Sequence, residues 1–91
     1  MQPRVSELKV TAPAARKLGA RGISADEARS MLQNGPAYAV NRKGGQPGRL
    51  FLLGQTDGGR YLTLVIEPTL DPTTWVVVTG WDSTPRQRKL R

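Results

Sequence analysis

The 91-residue sequence predicts an α+β fold. Two N-terminal helices pack on one face of a small three- to four-stranded antiparallel sheet, followed by a short basic C-terminal helix or tail. Three observations predict it. Ser24-Ala25-Asp26-Glu27 has the form of a capping box, in which the serine caps the N3 amide and the glutamate reaches back. Asp57-Gly58 lies between two apolar runs, the strongest short-range signal for a hairpin. Thr74 to Trp81 is rich in β-branched and aromatic residues, which fit a pleated surface.

The elements follow in chain order. Residues 1–6 read as a frayed start. Glu7-Leu8-Lys9-Val10 alternates polar and apolar and reads as a short edge strand. Thr11 is the N-cap of a first helix, with Pro13 in its first turn and Gly19 or Gly22 at its end. Ser24 opens the second helix, whose apolar stripe is Ala25, Ala28, Met31 and Leu32. Asn34-Gly35-Pro36 stops it. Ala37–Val40 is a short strand, and residues 41–48 form a basic glycine-containing loop that lacks the GxxxxGK[ST] spacing of a phosphate loop.

A two-residue type I′ turn at Asp57-Gly58 sets the register of the central hairpin. It places Gln55 opposite Arg60, Leu53 opposite Leu62, Phe51 opposite Leu64 and Arg49 opposite Ile66. The other face then carries Leu50, Leu52, Tyr61, Thr63, Val65 and Glu67. After a proline-rich connection and the 74–81 strand, Asp82, Ser83 or Thr84 caps a final helix with Pro85 in its first turn. The whole of 1–91 reads as one domain.

Composition narrows the chemistry. The chain has no cysteine and no histidine. Disulfides, Cys/His zinc sites, thiol nucleophiles and Ser-His-Asp arrangements are excluded. No cofactor or metal is expected. The net charge is +7. Residues 61–83 hold three acidic and no basic residues, whereas 84–91 hold four basic and no acidic ones. Such a balance favours polyanions or an acidic protein partner. No apolar run is long enough for a membrane span, and the start lacks the apolar core of a signal peptide. A cytoplasmic protein with no membrane partner is expected.

Several motifs in this order resemble the BrnT family of type II toxins, within the RelE/ParE-like superfamily. The likeness runs over roughly residues 10–90. It rests on Ala14 to Ser24 with Glu27-Ala28, on Arg49 to Phe51 with Gly54 and Gly59-Arg60-Tyr61-Leu62, and on Val77-Val78-Thr79-Gly80 followed by Ser83-Thr84. The sequence departs from the family at two places: Arg21 stands where a histidine is usual, and Trp81 where the last strand usually has arginine. The resemblance implies a RelE-like fold and a cytoplasmic endoribonuclease toxin. It also implies a cognate antitoxin, acidic or DNA-binding, through which the complex would reach operator DNA. The alternative is a non-catalytic module of the same fold that binds nucleic acid or the antitoxin.

Metal-free RNA cleavage needs a base for the 2′-hydroxyl, cations for the charged phosphorus and help for the leaving oxygen. Arg60 and Arg49 suit the phosphate, because a planar guanidinium matches its oxygens. Glu67 is the candidate base if burial raises its pKa. Tyr61 assists or stacks on a base. Lys17 and Arg21 on the helix side, and Arg86 and Arg88 in the tail, are expected to bind RNA phosphates. Trp75 and Trp81 read as core or antitoxin contacts in preference to stacking platforms.

Overall fold

A computed structural model of the chain describes residues 4–40 and 48–89. Strand β1 (Glu7–Val10) comes first, then helices α1 (Ala12–Gly19) and α2 (Ala25–Ser30), the latter running into a 3-10 turn (Met31–Gln33). Strands β2 (Ala37–Val40), β3 (Leu50–Gln55), β4 (Tyr61–Pro68) and β5 (Thr74–Asp82) follow, and then α3 (Pro85–Arg88). The caps fall where local chemistry places them. Thr11 accepts from the Ala14 amide at 3.3 Å, Ser24 and Glu27 close a reciprocal capping box, and Thr84 and Gln87 close another.

The sheet differs from the expected three- to four-stranded antiparallel one. It has five strands in the order β1-β5-β4-β3-β2, and it is mixed. β2 to β5 form an antiparallel meander, whereas β1 lies parallel to β5, with Glu7 opposite Thr74 and Val10 opposite Val77. The cause is the path of the chain. The helices carry it across one face from β1 to the far edge, and the meander returns to lie beside β1. The helices are also short, eight residues in α1 and six in α2, so the sheet dominates the fold.

The hairpin register is shifted by one residue from the expected one. Gln55 faces Tyr61, Leu53 faces Thr63 and Phe51 faces Val65. The turn is longer than two residues. The Gly59 amide bonds the Thr56 carbonyl at 2.9 Å, the Thr56 amide bonds the Arg60 carbonyl at 2.9 Å, and Gly59 has φ +87°. This is the three-residue loop that closes with a left-handed glycine. The left-handed position is Gly59, not Gly58. Because side chains alternate, one residue of slip changes which side chains share a face. Phe51 and Leu53 therefore lie with Tyr61, Thr63, Val65 and Glu67, not with the Leu62–Leu64–Ile66 row.

The core lies between the helices and the other face. Leu18, Met31, Leu52, Leu62, Leu64 and Ile66 are all fully buried there, with Leu8 and Val77 beside them. Gly80 sits at the closest approach, where an added Cβ would come within 2.5 Å of Leu64 Cδ2 and 3.1 Å of the Thr63 carbonyl oxygen. Among the described residues, α3 packs at one end of the second face and buries none of its own residues. The basic loop over 41–47 and the last two tail residues lie outside the described residues. No helix among the described residues is long and apolar enough to cross a membrane.

Candidate nucleic-acid interface

The corrected register brings Arg49 and Glu67 together on the second face. Arg49 Nε donates to Glu67 Oε1 at 2.8 Å, and Nη2 reaches the same oxygen at 2.8 Å. Both nitrogens fall on Oε1, and no donor among the described residues reaches Oε2. Tyr61 is on this face but at the far end of β4, six residues from Glu67, or about 20 Å along the strand. Tyr61 and Glu67 therefore cannot act on one reacting group. Between them lie Phe51 and Trp81, packed edge to face with ring centroids 6.2 Å apart.

Arg60 is elsewhere. Its side chain leaves the hairpin turn toward the helices and forms a clamp. Nε donates to Asp82 Oδ1 at 2.6 Å, and Nη2 to Asp82 Oδ2 at 3.0 Å. Nη1 donates to the Gly22 carbonyl at 2.8 Å and lies 3.5 Å from Glu27 Oε2; Nη2 also donates to the Arg21 carbonyl at 3.2 Å. All three nitrogens are engaged by the protein itself. The arrangement is a fork on a carboxylate plus a cap for the open carbonyls of the α1–α2 connection. Hydrogen bonding to Arg60 holds the Asp82 carboxyl below its ordinary range. Glu27 is also lowered, first by the Ser24 amide of its capping box and then by Arg60. Arg60 in turn is raised, chiefly by Asp82.

α3 is tied to the second face by polar contacts. Gln87 Oε1 accepts from the Thr84 amide at 2.9 Å, from Thr63 Oγ1 at 3.1 Å and from Trp81 Nε1 at 3.2 Å. Thr63 and Ser83 hydroxyls meet at 2.9 Å beneath it. The Arg88 guanidinium lies 5.4 Å from the centre of the Tyr61 ring, within cation–π range. Arg86 is exposed beside it. Lys17 is exposed on α1, on the helix side of the molecule, and Arg21 is exposed at the end of that helix.

The expected site residues thus separate into four groups. Arg49 and Glu67 meet, Tyr61 meets Arg88, and Arg60 is removed from both. Lys17 and Arg21 belong to the opposite side. Sequence reasoning missed Asp82 and Glu27 as partners of Arg60, and Gln87 as the hub of α3. The Gln87 signal was present, since Thr84-x-x-Gln87 is a capping-box spacing. No group of three or more Asp or Glu placed to hold a metal ion occurs among the described residues. Comparison of the chain with protein-family models, with curated proteins and with solved structures finds no match to any of them.

Proposed function

We propose that this chain is a non-catalytic basic module that binds RNA through the second face of its sheet. The supporting observation is the engagement of Arg60. A guanidinium whose three nitrogens already bond Asp82, Glu27 and two backbone carbonyls has no donor left for a scissile phosphate. Three of the cations without an ion pair among the described residues, Arg86, Arg88 and Lys89, cluster at α3. They flank the face that carries Phe51, Tyr61 and Trp81. Cations beside aromatic rings suit a flexible polyanion with bases to stack. The resemblance to BrnT-like toxins supports RNA as that polyanion and a cognate antitoxin as the protein partner.

A fluorescence-anisotropy titration with a labelled single-stranded RNA, repeated across salt concentrations, tests this reading. The expected result is affinity that falls linearly with log salt, with intact RNA at the end. Arg86→Ala and Arg88→Ala should each lower the salt slope by about 1. Absence of binding, or binding indifferent to salt, overturns it.

One observation favours the second reading, a toxin-type endoribonuclease. Arg49 and Glu67 place a cation and a carboxylate side by side on this face, with no donor to Oε2 among the described residues. In that reading Oε2 takes the 2′-hydroxyl proton, the 2′-oxygen bonds the phosphorus as the 5′-oxygen leaves with a proton from water, and Arg49 turns to the phosphate. Cleavage products that vanish in Glu67→Gln, while the fold and RNA affinity persist, would establish it in place of the first.

A further inference from the structure

The sheet has two edges, and they are unlike. β2 presents Ala37, Tyr38, Ala39 and Val40, with no charge among them. β1 presents Glu7, Leu8, Lys9 and Val10. Its outer side carries the backbone groups of Leu8, since the Leu8 carbonyl accepts from Arg29 Nε at 3.3 Å and so points away from β5. Beside that edge runs an open groove of about 610 Å³, walled on its other side by Arg29, Leu32 and Gln33. A strand added to a sheet lies about 4.8 Å from its neighbour, and the groove is lined by this edge.

Glu7 and Lys9 flank Leu8, are both exposed, and share one face of the sheet because they are two residues apart. Neither is in an ion pair among the described residues. We infer that β1 pairs antiparallel, about Leu8, with β1 of a second copy of this chain. That two-fold arrangement sets Glu7 of each copy opposite Lys9 of the other. Leu8 faces Leu8 at the axis, each offering its outward N–H and C=O to the other. A parallel pairing in register would set Glu7 against Glu7, and like charges directly opposite are unfavourable. The charge pattern therefore selects both the partner and the direction.

Arg29 is the guard of this edge. Its bond to the Leu8 carbonyl is long, its contact with Asp26 is 3.7 Å, and its side chain is 49 % exposed. A side chain so loosely held covers the carbonyl in the monomer and yields it to a backbone N–H in the dimer. The result is one continuous sheet across two copies, with their α2 helices adjacent on the core side. This inference is independent of the RNA-binding reading.

Sedimentation equilibrium of the full chain, with Glu7→Lys, Lys9→Glu and the double exchange, tests it. The wild type should approach twice 9.9 kDa as concentration rises. Each single exchange should weaken dimerisation at least about tenfold, and the double exchange should restore it, because it re-creates opposite-charge pairs. Both residues are exposed, and circular dichroism confirms that the variants are folded. A wild type that stays monomeric to millimolar concentration overturns the inference. So do single exchanges that dimerise as well as the wild type, or a double exchange that fails to recover.

Discussion

Arg60 and Asp82 meet through two parallel bonds, Nε to Oδ1 at 2.6 Å and Nη2 to Oδ2 at 3.0 Å. The pair joins the hairpin turn to the end of β5. The remaining donors of Arg60 join both to the α1–α2 connection through the carbonyls of Arg21 and Gly22.

Arg60→Ala should therefore destabilise the protein without abolishing the fold. The Asp82 side chain is 59 % exposed, so the ion pair alone contributes little. The larger loss comes from the two uncapped carbonyls and the Glu27 contact, together about 1–2 kcal/mol. In a domain of this size that lowers Tm by roughly 4–16 °C. Arg60→Lys should recover less than half, because one ammonium cannot serve a carboxylate and two carbonyls in a fixed fork. Thermal melts followed by circular dichroism check both.

The same clamp gives stability a definite pH dependence. Glu27 and Asp82 are both held below their ordinary values of 4.5 and 3.8. Their contribution is present above those values and is lost as pH falls through the lower, folded ones. Stability should be flat near neutrality and decline in acid, starting below about pH 4.5. In Arg60→Ala most of the Asp82 part of the decline should disappear, since Arg60 is its main cause and Arg88 a lesser one. The Glu27 part should persist, since the Ser24 amide is its main cause. Urea midpoints measured at a series of pH values would reveal the change in slope.

How much of this was legible in the sequence follows the range of each interaction. The caps at Thr11, Ser24 and Thr84 are decided within three or four residues, and a reading of local chemistry finds them. The strands at 37–40 and 74–82 are likewise set by local composition. The β1–β5 pairing is not local, and no pattern within Glu7–Val10 says which strand it joins. The hairpin register depended on one glycine. Asp57-Gly58 suggests a two-residue turn, but Gly59 offers a second left-handed position, and the longer turn buries Leu62 and Leu64 against the helices. The Arg49–Glu67 pair is hidden for the same reason, because a two-residue turn sets Arg49 opposite Ile66. In the sequence Arg60 reads as a free cation, because Asp82 and Glu27 are distant in the chain.

Gly80→Ala should be among the more costly single-methyl changes. The new Cβ would lie 2.5 Å from Leu64 Cδ2, which can move, and 3.1 Å from the Thr63 carbonyl oxygen, which is held in the ladder. Overpacking of this kind costs about 1–3 kcal/mol. Gly19→Ala, in the last turn of α1, meets nothing within 4 Å and should be neutral or slightly stabilising, which makes it the uncrowded control. Denaturant midpoints of the two variants should differ clearly, and equal midpoints would refute the crowding at Gly80.

Gln87→Ala should release α3. It leaves Trp81 Nε1, the Thr84 amide and one Thr63 contact without their shared acceptor, and α3 has no buried residue to hold it otherwise. A loss of about 1–2 kcal/mol in local stability is expected. Faster amide exchange at Arg88 and a red-shifted tryptophan emission would report it. Gln87→Glu keeps the acceptor oxygen and should retain the helix.

The parallel pairing of β1 with β5 also orders events during synthesis. Glu7 is made early and its sheet neighbour Thr74 late. Until β5 emerges, β1 has no strand to join, and the buried side of Leu8 has only part of its surroundings. Contacts so distant in sequence form slowly. The helices and the hairpin can gather beforehand, but the sheet is completed after the ribosome has made residue 82. The final step of folding then belongs to β1 and β5, and a nascent chain stalled before Thr74 would display an unmated β1 to whatever chaperone or neighbour is at hand.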